Sequence, residues 1–403
     1  MTQRVVPDHV PADLVFDFDY IQATHDVADP YQALMALDRN GYPDIFYSPL
    51  LGGHWVVRRY EDVFAIFRDH QGFTSYPIVI PEIQAQTERM IPIQIDPPDH
   101  KKYRRVLGPL FTPAATNRLE EIVRETAIDL IDPLVPLGGG DFVRDFAHRF
   151  PPTVFLRFMG MPTDRLEEFV GWASDSLVGT AEQQVAAGAK ITEFVGRFVD
   201  EKYHAPGEDW ASIMVQATEP DGTPMLTRAE IINISFFLFL AGLDTVLNSL
   251  AHAWRYLATH PEAQQRLSTD PDAIPGAVEE MLRLNTITNN SRRARHDLIF
   301  RNVEMRAGDP VLLLAAAANR DGGKFPDPER ADLEREHNLH LSFGAGIHRC
   351  IGSNLARAEM RIAIEEWLRR IPSFSLRPGA EIRSIGGVTM GLQSLPLSWA
   401  YAA

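Results

Sequence analysis

The sequence predicts a mainly α protein with a minor β part, and three observations carry that prediction. Between Glu61 and about Asp270, apolar residues recur near i, i+3 and i+4, the spacing of helices that bury one face. Inside that span, an apolar helical pattern opens at Thr227 and runs to about Thr259. After Asp270 the texture changes to short β-prone runs broken by turns. No unit repeats with a period of 20–50 residues and no low-complexity linker interrupts the chain. Residues 1–403 therefore read as a single domain, with residues 1–28 as an irregular N-terminal segment.

Taken in order, the early part of the chain offers a hairpin. In "DIFYSPLLGGHWVVRRY" two β-prone runs flank Gly52-Gly53. "YEDVFAIFRDH", "TNRLEEIVRETAIDLIDPL" and "RLEEFVGWASDSL" follow as helices, punctuated by "DPPD" and "MPTD". Thr227 and Glu230 then have capping-box spacing, which starts the longest helix. At 1.5 Å per residue, some 32 residues span roughly 48 Å, and a middle that is apolar almost all round belongs in the core. "IPGAVEEMLRLN" is a short helix with Pro275 near its start. "LIFRNVEMRAGDPVLLLAAAA" reads as strand, turn and strand. An irregular stretch then leads to Cys350, "GSNLARAEMRIAIEEWLRRI" follows as a helix, and two short strands close the chain.

Composition excludes several function classes. Lys+Arg is 39 and Asp+Glu is 54, a net charge of −15, which disfavours nucleic acid as a partner because phosphate binding rests on a positive field. One cysteine cannot make an internal disulfide and fits a reducing compartment. The N-terminus lacks the basic and apolar segments of a secretory signal. The longest apolar run, Ile231–Leu243, is 13 residues against the ~20 that a membrane span needs. A soluble, cytoplasmic protein that does not engage a membrane is expected.

The segment "LSFGAGIHRCIGSNLARAEM" holds the sole cysteine. A lone cysteine is ordinarily a small buried hydrophobe. Here Gly344 and Gly346 allow a tight turn and close approach to a flat ligand, and the helix that starts after Cys350 favours a thiolate. His348 and Arg349 add donors. Such a thiolate suits a nucleophile or a metal ligand. A zinc or iron–sulfur cage would need further cysteines, whereas axial ligation of haem iron needs only one.

Phe343, Gly346, Cys350 and Gly352 stand as F-x-x-G-x-x-x-C-x-G, which resembles the haem-ligand signature of the cytochrome P450 family. The resemblance extends from about Asp29 to Trp399. It implies the cytochrome P450 fold, with haem b between a long distal helix and the helix after the cysteine loop. It makes Cys350 the axial thiolate of the iron, packs Phe343 beside the sulfur and points His348 at a haem propionate. "AGLDTV" resembles the family's oxygen-activation motif: Asp244 and Thr245 would deliver protons to dioxygen, and Gly242 would leave room for it. His100 and Arg104 match H-x-x-x-R, whose residues contact the propionates, and Arg292 is placed similarly. Glu280, Arg283 and Arg330 resemble the family's Glu-Arg-Arg network, a structural element that holds the loop before the cysteine.

"AGLDTVLN", "FGAGIHRCIG" and "GLQSLPLSW" resemble the bacterial camphor-hydroxylase branch. Its camphor enzymes carry a tyrosine where Glu88 stands here, followed by Arg89 and Met90, so camphor itself is not the expected substrate. By resemblance, segment 76–92, the distal helix, the strand after Arg283 and the C-terminal turn would wall the substrate pocket. The matching residues are Val79, Met90, Phe237, Leu240, Ala241, Thr288 and Val388. This lining suits a small lipophilic terpenoid or norisoprenoid, hydroxylated with O2. Electrons would come from an iron–sulfur ferredoxin and its NAD(P)H-dependent reductase, steered by Lys101, Lys102, Arg104, Arg105, Arg349 and Arg357. Two other readings are a non-catalytic haem-thiolate sensor, which would be expected to lack the Asp244–Thr245 pair, and a peroxide-using haem enzyme, which would need neither that pair nor the ferredoxin.

Overall fold

The long apolar pattern is the spine of the structure, a computed structural model that describes residues 5–82 and 88–400. It forms one helix, Arg228–Thr259. Thr227 accepts from the Glu230 amide while the Glu230 carboxylate accepts from the Thr227 amide, so the capping box read from the sequence is present. By length and mean hydropathy this helix would pass for a membrane span. Its neighbours make it a core helix instead. Helices Phe150–Met159, Leu166–Val178 and Ala181–His204 pack along it, as do short strands from the C-terminal region. Ile231, Ile234, Phe239, Leu250 and Trp254 are fully buried along it, and the Trp254 ring stacks on Phe142 with centroids 4.5 Å apart.

The β part is concentrated in one five-stranded sheet. Its strands are β1 (Ile45–Ser48), β2 (His54–Val57), β3 (Phe73–Thr74), β4 (Asn290–Ala294) and β5 (Pro310–Leu313), in the spatial order β1-β2-β5-β4-β3. β1 and β2 form the hairpin expected around Gly52-Gly53, and both glycines have the positive φ that such a turn needs. β2 runs parallel to β5, and β4 is antiparallel to both β5 and β3. The pairing of Arg292 with Val311 and of Arg293 with Pro310 sets the face on which each arginine emerges.

Three local expectations change. Residues Ala315–Ala318 form a helical turn instead of prolonging the strand, consistent with the helix preference of alanine. The C-terminal region holds four short strands, not two: Phe374–Leu376, Ser384–Ile385, Gly391–Leu392 and Pro396–Trp399. The N-terminal segment contains a short helix, Tyr20–Thr24, capped by the Asp19 carboxylate.

The loop before the cysteine is pinned from one buried group. Glu280 and Arg283 lie three residues apart on helix Ile274–Leu284, and both side chains are fully buried. Arg283 grips both Glu280 oxygens at 2.7 and 2.8 Å and donates to the carbonyls of Asn319 and Pro328. The second arginine on Glu280 is Arg335, not Arg330. Arg335 Nε lies 3.1 and 3.2 Å from the two carboxylate oxygens. Arg330 contributes only its carbonyl, to Arg283 and Arg335, while its side chain is exposed. The Asp332 amide and Asn338 Nδ2 complete the shell at 2.9 Å each. Burial raises the Glu280 carboxyl, but these donors and the charges of Arg283 and Arg335 outweigh it and hold the group below its ordinary value.

Candidate active site

Cys350, Thr245, His100, Arg104 and Arg292 come from four separate stretches of chain, and all line one interior cavity. The cysteine loop is shaped by its glycines. Gly344 and Gly346 both have positive φ, and a Cβ at Gly346 would collide with the backbone of Phe67. Gly346 therefore seats the loop on helix Tyr60–Arg68 and does not itself line the cavity. The Cys350 amide donates to the Phe343 carbonyl at 2.9 Å and closes the loop. The cysteine keeps accessible surface, and it contributes to the cavity wall. Burial pushes its thiol up; the Gly352 amide and the cations Arg104, Arg349 and Arg357 pull it back only in part. Phe343 also lines the cavity, with the Arg357 guanidinium 4.5 Å from its ring centre.

The long helix presents Leu238, Ala241, Gly242, Thr245, Val246 and Ser249 to the cavity, a stripe at i, i+3, i+4, i+7, i+8 and i+11. Thr245 lies on that stripe and donates to the Ala241 carbonyl at 3.0 Å. Asp244 is one residue off it and does not line the cavity. Its carboxylate accepts from Asn248 Nδ2 at 3.0 Å, and Thr389 also bonds to it. Burial raises the Asp244 carboxyl above its ordinary value, against those two hydrogen bonds. The space at Gly242 is taken by the ring of Phe155, which a Cβ there would overlap, so this glycine admits an aromatic wall residue. That contact had no signature in the sequence.

Cationic groups gather on the same cavity. Arg292 is 4% exposed, and Arg104 stands beside His100 and His348, whose rings are 4.5 Å apart. Among the described residues neither Arg104 nor Arg292 forms an ion pair. Burial lowers Arg292 to about 10 and His100 to about 4. His348 Nε2 meets Ser75 Oγ at 3.1 Å and lies 3.7 Å from Asp96 Oδ1, while its Nδ1 is buried without a partner among the described residues. Strand alternation decides between the two neighbouring arginines: Arg292 turns inward, and Arg293 pairs with Glu82 on the exterior.

Of the residues expected to wall a substrate pocket, Phe237, Ala241 and Thr288 line the cavity, whereas Val79, Met90, Leu240 and Val388 stand back from it. Ile78 takes the place of Val79, because consecutive side chains of an extended segment face opposite ways. Leu240 is turned around the helix into the packed core. The Met90 amide donates to Gln94 Oε1, and the Val388 carbonyl accepts from Asn289. Glu88 is exposed and meets Asn233 of the long helix at 3.5 Å. Part of segment 76–92, residues 83–87, lies outside the described residues. Pro92, Ile93 and Ile287 also line the cavity. So does Glu359, which is 2% exposed and has no hydrogen-bond partner among the described residues.

The expected row of six steering cations is not free. Lys102 pairs with Glu230, Arg105 with Glu219 and Arg357 with Glu279, and Arg104 faces the cavity. Among the described residues, Lys101 and Arg349 are the exposed cations of that set without an ion pair.

These residues fit haem. A thiol faces the cavity from one loop, and among the described residues a buried arginine, Arg292, a half-buried one, Arg104, and His348 Nδ1 lack an anionic partner, as a group with two carboxylates and a central metal requires. A profile of the cytochrome P450 family matches residues 156–385. A protein from Sinorhizobium fredii described as a probable cytochrome P450 127A1 is 35% identical over 404 residues, covering 98% of this chain and 97% of its own. A mycinamicin IV hydroxylase/epoxidase from Micromonospora griseorubida is 34% identical, over 86% of this chain and 89% of its own. The crystal structure of CYP101J2 superimposes with a TM-score of 0.90 at 30% identity, covering 98% of this chain and 99% of that one. A profile that spans more than half the chain and a relative aligned over almost all of it leave one conclusion: the chain belongs to the cytochrome P450 family, haem-dependent monooxygenases whose iron is held by a cysteine thiolate.

Proposed function

We propose that the protein hydroxylates a small lipophilic substrate, terpenoid or norisoprenoid-like, using O2 and electrons passed from NAD(P)H through a ferredoxin reductase and an iron–sulfur ferredoxin. The balance is RH + O2 + 2 electrons + 2 protons giving ROH and water. The observation that carries this reading is that one cavity is lined by both Cys350 and Thr245. Cys350 would ligate the iron through its thiolate, and His100, Arg104, Arg292 and His348 would hold the propionates. When bound, haem supplies the binding and activation of dioxygen.

The chain's own residues do the rest. Thr245 donates to Ala241 at rest, and rotation of its hydroxyl turns that donor into the cavity. Asp244, adjacent in sequence and raised by burial, supplies protons to that hydroxyl. Phe237, Ala241, Ile78 and Ile287 exclude water and favour an apolar substrate, with the Thr288 hydroxyl available to orient it. The lining supports the substrate class; kinship does not choose it, since a relative of comparable identity is a mycinamicin IV hydroxylase/epoxidase.

The test starts with a screen of neutral terpenoids for a low-to-high spin shift. With the best binder, product formed per NAD(P)H consumed is then compared between wild type and Thr245→Ala. Reductant use should continue while the product fraction falls several-fold. Coupling that stays intact refutes the role given to Thr245. Cys350→Ser should lose the red-shifted Soret band of the reduced carbon monoxide complex.

A further inference from the structure

The carboxylate of Asp244 is held from behind, and the holder is set in place by a ribbon whose other end walls the cavity. Asn248, one turn along the long helix and 6% exposed, donates from Nδ2 to both Asp244 Oδ1 and the Asp244 carbonyl at 3.0 Å. The other side of the Asn248 amide is pressed by the backbone of Gly391. A methyl group at Gly391 would fall well inside van der Waals contact with Asn248 Oδ1 and Cγ. Gly391 does not have positive φ, so the missing side chain answers a need for space, not for backbone geometry.

Gly391 continues a short ribbon. Met390 donates to the Ile287 carbonyl at 2.7 Å, Asn289 donates to the Val388 carbonyl at 2.8 Å, and Thr288 and Thr389 form the bridge between them. Ile287 and Thr288 line the cavity. One end of this ribbon is thus cavity wall, and the other sets the place of the amide that holds Asp244. No charged group from the helices and strands packed around this turn acts on Asp244 among the described residues; Asn248 and Thr389 are its polar contacts.

We infer that Gly391 and Asn248 form a clamp that positions Asp244, so that the ribbon walling the cavity also sets where the acid stands. Both are positioning residues, and the inference rests on the reading of Asp244 as the proton donor. A bulkier residue at Gly391 must push the Asn248 amide aside, and the nearest thing it then loses is the bond to Asp244. A substitution that touches neither the acid nor the cavity should therefore behave like removal of Asn248.

The experiment follows the infrared C=O band of protonated Asp244 in the haem-loaded protein as a function of pH, assigned by its disappearance in Asp244→Asn. Asn248→Ala removes a hydrogen bond that favours the charged form, so the pH at which the band vanishes should rise by about one unit, tenfold in proton affinity. Gly391→Ala should raise it in the same direction; should that variant fail to fold, Gly391→Ala combined with Asn248→Ala, which relieves the overlap, should keep the Asn248→Ala midpoint. Thermal melts identify variants that fold. A Gly391 variant that folds and keeps the wild-type midpoint while Asn248→Ala moves it overturns the clamp. So does an Asn248→Ala midpoint equal to wild type, or the absence of any band that Asp244→Asn removes. Product yield per NAD(P)H in Asp244→Asn is a separate readout: if it is unchanged, the proton-donor reading fails while the infrared result still judges the clamp.

Discussion

Replacing Arg335 by alanine should cost about 2 kcal/mol, and the same change at Arg330 less than about 0.5 kcal/mol. The difference follows from where each guanidinium goes. Arg335 places Nε 3.1 and 3.2 Å from the two oxygens of fully buried Glu280 and Nη1 3.0 Å from the Pro326 carbonyl. A hydrogen bond to a charged group is worth about 1.5–3 kcal/mol net. The larger penalty of about 3–5 kcal/mol for orphaning a buried charge is avoided, because Glu280 keeps Arg283, the Asp332 amide and Asn338. At about 2.1 cal/mol/K of unfolding entropy per residue, a loss of this size lowers the melting temperature by about 2–3 °C. Paired thermal melts of the haem-loaded variants at pH 7 measure it. The pH dependence has a defined sign. Glu280 is held below its ordinary value, so the stability it confers is present above the unfolded carboxyl value near 4.3 and is lost as pH falls through the folded one. The gap between wild type and Arg335→Ala should narrow on acidification through that window. An Arg330→Ala loss as large as that of Arg335→Ala, or no loss for Arg335→Ala, refutes the assignment.

Two further outcomes are expected. Glu359 is buried without a partner among the described residues, and burial drives its carboxyl well above the ordinary value, so its contribution is retained at low pH and lost as pH rises through the folded value. Glu359→Met should therefore stabilise the protein by about 1–3 kcal/mol at pH 8 and by less at pH 5, measured by urea titration, and a variant less stable than wild type at pH 8 would sink the argument. Arg292→Leu should speed haem transfer to a scavenging apoprotein about tenfold or more, while Arg293→Leu, which loses only an exterior pair with Glu82, should leave the rate within about twofold; equal effects would reverse the choice between the neighbours.

The long helix was legible to the residue at its start, because Thr227 and Glu230 advertise a local geometry that needs no tertiary partner. The β1–β2 hairpin was legible for the same reason. Local chemistry could not choose between Arg330 and Arg335: both follow Glu280 within the same irregular stretch, and only the path of the chain back to the helix selects one. The cavity wall failed in a similar way. Phe237 and Ala241 lie on one helical stripe, but Leu240 is apolar too, and apolarity does not say which side of a buried helix faces a cavity. Phe155 against Gly242, and Gly391 against Asn248, join segments far apart in the chain, so each glycine's reason lies in a partner the sequence does not name.

Buried charge separates scaffold from site in this molecule. An ionised group inside a protein is tolerated only when a partner compensates its lost hydration. Glu280 with Arg283 and Arg335, and Glu366 with Arg124 and Arg370, meet that condition within the chain, and both clusters fix segments that do no chemistry. Arg104, Arg292, Asp244 and Glu359 do not meet it: none has an opposite charge in contact among the described residues. Three of these four line the cavity, and the fourth sits one residue behind Thr245 on the cavity-facing helix. The two cations would be matched by a ligand that brings its own carboxylates. The two acids are raised by burial and so hold protons at pH values where exposed carboxyls have lost them. The proposed reaction consumes protons, which such groups beside it would supply, and the energetic cost of leaving them unpaired fits a region shaped for chemistry and not for stability.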